Sequence, residues 1–243
     1  MNYHMSSSQI RHHECDADGF LKLHSLFDHL QNAAAEHASL LSVGMDELAE
    51  LQLIWVLSRM KFTLDRPVKL GEILDIKTYP CGLERIFAHR SYDLLIDSKR
   101  VGCAGSLWLP VSVANNRPVN AKKILPENML GSPDLEVFFT GLDKLPDFSG
   151  VLCGEYLVGA GDIDLNNHLN NAVYARWCAD ALGKMLDKNA VWVGEMQVNY
   201  LSSCFRGEKV NVFFGTADDS RFLIYAEKDS GEKVFQAAGT YCL

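Results

Sequence analysis

The chain of 243 residues carries one pattern twice. Asp16-Ala17-Asp18-Gly19-Phe20-Leu21 returns 148 residues later as Asp164-Leu165-Asn166-Asn167-His168-Leu169, and a helix-like stretch rich in small residues follows each copy. A second correspondence runs at an offset of 136. Met60-Lys61-Phe62-Thr63-Leu64 and Gly71-Glu72 match Met196-Gln197-Val198-Asn199-Tyr200 and Gly207-Glu208. The change in offset predicts a longer helix-to-strand connection in the first half. A repeat of this length restricts the chain to two like units.

Within each half the periodicities are clear. Leu169, Val173, Trp177 and Ala181 recur every fourth residue, the stripe of a helix with one buried face. Alternating aromatic and β-branched residues predict strands at 73–79, 88–96 and 101–113, and again at 210–216, 222–228 and 233–242. Each half therefore reads as strand, helix and several antiparallel strands, an α+β architecture. Pro118, Pro126, Pro133 and Pro146, with Gly131, Gly141 and Gly150, mark residues 116–150 as a surface linker. The expected domains are 1–115 and 151–243.

Composition narrows the function. With 48% hydrophobic and 22% charged residues the chain can bury a core. No apolar run approaches the length of a membrane span, and residues 1–6 lack the charged and apolar regions of a secretory signal. A net charge of -8, with no run of lysine or arginine, disfavours nucleic acid. The 7 cysteines are scattered and none falls in a Cys-x-x-Cys pair, which argues against a disulfide framework or a zinc site. No metal and no cofactor are expected.

The segment 164–171 combines a carboxylate, carboxamides and an imidazole ahead of the second helix. Backbone amides and the positive end of the helix dipole at such a place suit an oxygen gaining negative charge. Asp-x-Asn-x-His followed by Asn-Asn resembles the active-site segment of hotdog-fold acyl thioesterases, most closely acyl-acyl-carrier-protein (acyl-ACP) thioesterases. Arg11-His12-His13-Glu14-Cys15-Asp16, Leu30 to His37, Trp55-Val56-Leu57-Ser58-Arg59 and Gly71-Glu72 are similar to the first half of that family, in order and spacing. The resemblance covers most of the chain.

It implies two tandem hotdog domains, each a long helix wrapped by a curved antiparallel sheet, packed as an internal pseudo-dimer. Further association into a homodimer is compatible with this. It also implies hydrolysis of fatty acyl-ACP to a free fatty acid, ending chain elongation. Plant members carry transit peptides, whereas the first arginine here is Arg11, so the chain resembles a bacterial member working in the cytoplasm. Asp18 and Phe20 stand where Asn166 and His168 stand in the second copy. One active site is thus expected, in the second half, with the first half shaping an acyl tunnel near Leu26, Leu30, Ala33, Ala34 and His37. The carrier protein is acidic, and Arg117, Lys122, Lys123 and Arg176 are candidates for its docking patch.

Thioester hydrolysis needs an activated water and a home for the oxyanion. Its thiolate leaving group, with a pKa of about 8.5, needs little help. His168 is the candidate general base, Asn166 the residue holding the carbonyl or the water, and Asp164 the orienting or polarising carboxylate. Plant members have a catalytic glutamate just before a cysteine on the strand after the helix; here that pair is Ser203-Cys204. Glu195 shares strand parity with Ser203 but lies about 26 Å away along an extended strand. Ser203 is a candidate for holding water, and Cys204 for a papain-like nucleophile, against its reading as a small buried strand residue. The rivals are an acyl-CoA thioesterase, a hotdog hydratase or dehydratase, and a non-catalytic acyl-binding protein.

Overall fold

The computed structural model describes residues 2–125, 134–218 and 220–242. Among the described residues ten strands and three α-helices follow one another. They are β1 (His4–Gln9), α1 (Leu23–Leu40), α2 (Met45–Glu50), β2 (Leu53–Leu64), β3 (Ile73–Glu84), β4 (Phe87–Ile96) and β5 (Lys99–Ser112) in the first half. The second half holds β6 (Val151–Leu157), α3 (Asn171–Leu186), β7 (Trp192–Tyr200), β8 (Lys209–Asp218), β9 (Arg221–Lys228) and β10 (Lys233–Cys242). The six expected strands are all present, lengthened by a few residues at some ends.

The described residues gather into two compact units whose boundaries differ from the sequence expectation. One unit takes Met1–Gln9, His29–Thr63 and Gly71–Leu142; the other takes Ile10–Asp28, Leu64–Leu70 and Asp143–Leu243. The first copy of the repeated loop and the first turns of α1 therefore group with the second unit, and the rest of α1 groups with the first. The physical reason lies in backbone pairing: Leu21 N–H donates to Val68 O at 2.8 Å, and Leu70 N–H to Gly19 O at 2.9 Å, tying the two early segments together.

In the first unit the strand order is β1-β3-β4-β5-β2, and β1 to β5 pair antiparallel. Strand β4 is buried on both faces rather than one. Its Arg90 bonds to His37 on α1. Its opposite face is covered by residues of the expected linker: His89 Nε2 lies 3.1 Å from Phe138 O, and Phe138 N–H donates to Ser91 Oγ at 3.0 Å. Ala121, Leu125, Phe138 and Leu142 are buried as well. This part of 116–150 packs as core rather than running over the surface as expected. Pro126, Gly131 and Pro133 of that linker lie outside the described residues.

In the second unit the order is β7-β10-β9-β8-β6, again antiparallel. Val210, Val212 and Phe214 on β8, and Phe222, Ile224 and Ala226 on β9, are buried in strict alternation, as a sheet with one covered face requires. Helix α3 lies on this unit through Tyr174, whose ring is 5.0 Å from Phe235 and 5.6 Å from Tyr200, and through Trp177, stacked 4.8 Å from Tyr156. The stripe Leu169, Val173, Trp177 and Ala181 is buried throughout. Among the described residues no helix is long and apolar enough to cross a membrane.

The two copies of the loop keep nearly the same hydrogen bonds. Asp16 Oδ1 accepts from Asp18 N–H at 3.0 Å and Phe20 N–H at 2.9 Å; Asp164 Oδ1 accepts from Asn166 N–H at 2.9 Å and His168 N–H at 3.1 Å. Asp16 N–H donates to Phe20 O, and Asp164 N–H to His168 O, both at 2.8 Å. The tight turn needs a left-handed residue, supplied by Gly19 (φ 79°) in one copy and Asn167 (φ 62°) in the other. One carboxylate oxygen thus closes each loop. Asp16→Ala strands two backbone donors and is expected to cost about 1–3 kcal/mol in urea unfolding, while Asp16→Asn, which keeps the acceptor, costs less.

Candidate active site

The loop delivers Asn166 and His168 to the start of α3. Leu169 N–H donates to Cys204 O at 2.8 Å, and Ile163 and Leu169 form a single β-bridge. Asn170 caps the helix, its Oδ1 accepting from Ala172 N–H at 2.9 Å. Asp162 anchors the approach: its two oxygens take Gly159 N–H and the Arg176 guanidinium, each at 2.9 Å.

These bonds change one expectation. The amides at the start of the helix were expected to point outward and receive an oxyanion. Instead Leu169, Asn170, Ala172 and Val173 N–H already donate, to Cys204 O, Asp162 O, Asn170 Oδ1 and Asn170 O. These four amides are therefore not available to an oxyanion. Among the described residues neither the Asn166 carboxamide nor the His168 ring has a hydrogen-bond partner, and both are only half-buried. Both are therefore open to an incoming ligand, flanking the exposed Asn167. Asp164 differs: its Oδ1 is committed to the loop backbone.

The His168 ring is packed rather than tethered. The Phe205 ring meets it edge-on, with centroids 5.2 Å apart and planes at 77°. Phe205 is held in turn: its N–H donates to Glu208 Oε2 at 2.8 Å, and Lys228 Nζ lies 5.9 Å from its ring centroid. Lys228 bridges Glu208 at 3.2 Å and Glu232 at 3.3 Å. Phe205 escaped the sequence reading, although the repeat offered a signal, since Lys69 occupies its place in the first copy.

Ser203 and Cys204 are not on a strand. Strand β7 ends at Tyr200, and both residues lie in the connection to β8. The extended-strand separation from Glu195 therefore does not apply. Cys204 is fully buried; its carbonyl braces the loop, and its thiol shares a hydrogen bond with the Tyr174 hydroxyl. Burial pushes the thiol up, and the Tyr174 hydroxyl and Lys228 pull less strongly the other way. A buried, protonated thiol is a poor nucleophile. Tyr200 donates its hydroxyl to Asn171 O at 3.2 Å, and Asn199 Oδ1 accepts from Gln197 at 3.0 Å, so both serve the strand and its neighbours. Among the basic candidates, Arg176 is paired with Asp162.

Two outcomes are expected at Cys204. Loss of a true nucleophile costs several powers of ten, whereas Cys204→Ala is expected to keep thioester turnover within about tenfold of wild type. Iodoacetamide is expected to label Cys204 in the folded protein far more slowly than in urea, read by mass spectrometry.

Comparisons with known proteins place this geometry. Residues 1–128 match the acyl-ACP thioesterase N-terminal domain, and residues 151–241 the C-terminal domain. A chloroplastic palmitoyl-acyl carrier protein thioesterase from Gossypium hirsutum is 27% identical over 190 residues, spanning 71% of this chain and 45% of its own length. The chain thus spans about half the length of the curated relatives it matches. An acyl-ACP thioesterase from Bacteroides thetaiotaomicron VPI-5482 superposes with a TM-score of 0.86 at 21% identity, over 99% of this chain and 98% of that one. The 12:0-ACP thioesterase from Umbellularia californica does so with a TM-score of 0.80 at 17% identity, over 99% and 97%. The fold is of the hotdog type, and the chain belongs to the acyl-ACP thioesterase family.

Proposed function

We propose that the protein hydrolyses the thioester of fatty acyl-ACP, releasing a free fatty acid and the carrier's thiol. The observation that carries this reading is the difference between two loops with closely matching backbones. Where the first copy has Asp18 and Phe20, the second presents Asn166 and His168, whose side chains have no hydrogen-bond partner among the described residues, at the mouth of a helix.

In the proposed reaction His168 takes a proton from water as the water oxygen attacks the thioester carbon. The Asn166 amide donates to the carbonyl oxygen as it becomes an oxyanion. The tetrahedral intermediate collapses, the C–S bond breaks, and the thiolate leaves with the pantetheine arm. Asp164 acts through the loop it closes, as a positioning residue, and Ser203 holds a water where plant relatives have glutamate. The edge of Phe205 limits the tilt of the imidazole, to which no carboxylate is hydrogen-bonded among the described residues. The first repeat, without an imidazole, contributes to acyl-chain binding. The acidic carrier protein is the expected macromolecular partner, and Arg117, Lys122 and Lys123 remain its docking candidates.

The test is free-thiol release from matched acyl-ACP and acyl-CoA panels by wild type and His168→Ala. Release from acyl-ACP that falls by about 10²-fold or more in a folded His168→Ala variant is the expected result. Release from acyl-CoA alone contradicts the carrier assignment, and activity surviving the substitution contradicts the base. Binding without turnover on either panel replaces this reading with an acyl-binding protein.

A further inference from the structure

The interior of the first unit holds a guanidinium that pairs with no anion among the described residues. Arg90 on β4 is 6% exposed, and its Nη1 donates to His37 Nδ1 on α1 and to Thr78 Oγ1 on β3, both at 3.1 Å. Arginine can only donate, so His37 accepts through Nδ1 and its ring is neutral there. Thr78 is a hydroxyl. The nearest carboxylate along the chain, Asp93, points to the opposite face of β4 and is bonded to Arg100. Glu36 is bonded to His4. Among the described residues no carboxylate pairs with Arg90. The phenol of Tyr92 and the thiol of Cys81 lie close, but burial pushes both up and keeps them neutral near pH 7.

A buried guanidinium that stays charged and finds only neutral acceptors is expensive. Its five N–H groups form a fork suited to a carboxylate, and the bonds to His37 and Thr78 are both made by Nη1. The surroundings are two-sided. A polar layer continues beside it, with the Tyr92 hydroxyl 2.9 Å from Ser106 Oγ and Trp108 Nε1 donating to Ser106 Oγ at 2.7 Å. Around that layer the same helix and sheet present buried aliphatic residues: Leu30, Ala33 and Ala34 on α1, Ile76 on β3 and Leu94 on β4. A cationic fork in a narrow polar layer, flanked by aliphatic residues, matches an aliphatic chain with one anionic end.

We propose that Arg90, with His37 and Thr78, forms a binding site in the first unit for the carboxylate of an aliphatic chain. That carboxylate comes either from a free fatty acid or from the far end of an acyl group bearing a second carboxyl. The site is independent of hydrolysis and is tested without any thioester.

Calorimetric titration of the whole protein with decanoate, 1-decanol and monomethyl sebacate separates the cases. Decanoate is expected to bind wild type about tenfold to a hundredfold more tightly than decanol, the worth of a charge-assisted hydrogen bond. Arg90→Met is expected to abolish that preference, and Arg90→Lys, which keeps charge without the fork, to reduce it. Without ligand, Arg90→Met is expected to melt no lower than wild type, since removing an uncompensated buried charge relieves its desolvation. Tighter binding of monomethyl sebacate than of decanoate assigns the site to the far end of an acyl group; the reverse assigns it to the free acid. Equal affinity of wild type for decanoate and decanol overturns the proposal, and so does an acid preference that survives in folded Arg90→Met. If that variant does not fold, an Arg90→Lys preference equal to wild type overturns it.

Discussion

Everything about the candidate site depends on one carboxylate oxygen. Asp164 Oδ1 collects two backbone N–H groups and thereby turns the chain back on itself just before α3. Without that acceptor the loop holds two stranded donors at the entrance to a helix where the Leu169, Asn170, Ala172 and Val173 amides are already committed. With it, Asn166 and His168 are set on a braced backbone and their side chains are left open. The repeat supplies the control within one molecule. Asp16 makes the same two bonds in a copy with no imidazole, so the carboxylate is explained by the loop it builds. Chemistry and scaffold are separable here, because the residues that build the loop are shared and the residues that differ are the candidates for catalysis.

The fold was legible because it rests on patterns with short periods. Alternation located β8, β9 and β10, and the four-residue stripe from Leu169 to Ala181 located the buried face of α3. What sequence did not reveal is long-range pairing. That residues 10–28 and 64–70 join the second unit depends on bonds such as Leu21 to Val68, between segments 47 residues apart in sequence. The linker failed for a similar reason. Its prolines and glycines signal irregular backbone, which is correct, but irregular backbone is not always surface. Phe138 finds its partner in Ser91, a side chain on the otherwise open face of β4.

At the site the same division holds. Asp164, Asn166 and His168 stand within five residues and were visible as a motif. Phe205 was not, because its contact with His168 joins two loops and involves a ring, a Glu208 carboxylate and a Lys228 ammonium drawn from three places in the chain. The reading of the helix start as an oxyanion site used a sound general rule. It failed locally because Asn170, Asp162 and Cys204 satisfy those amides first. The replacement of the plant glutamate by Ser203 falls in the same irregular connection. There a side chain's reach is set by loop geometry and not by strand parity.

The most direct test converts the second loop to the sequence of the first. The double variant Asn166→Asp with His168→Phe keeps the backbone acceptors and the buried helix stripe, and removes only the two groups assigned to chemistry. Its unfolding free energy and its rate of thiol release from acyl-ACP are measured together. The account predicts stability within about 1 kcal/mol of wild type, the scale of changes at partly exposed positions, with thiol release lost. Thiol release near the wild-type rate, or collapse of the fold, would contradict it.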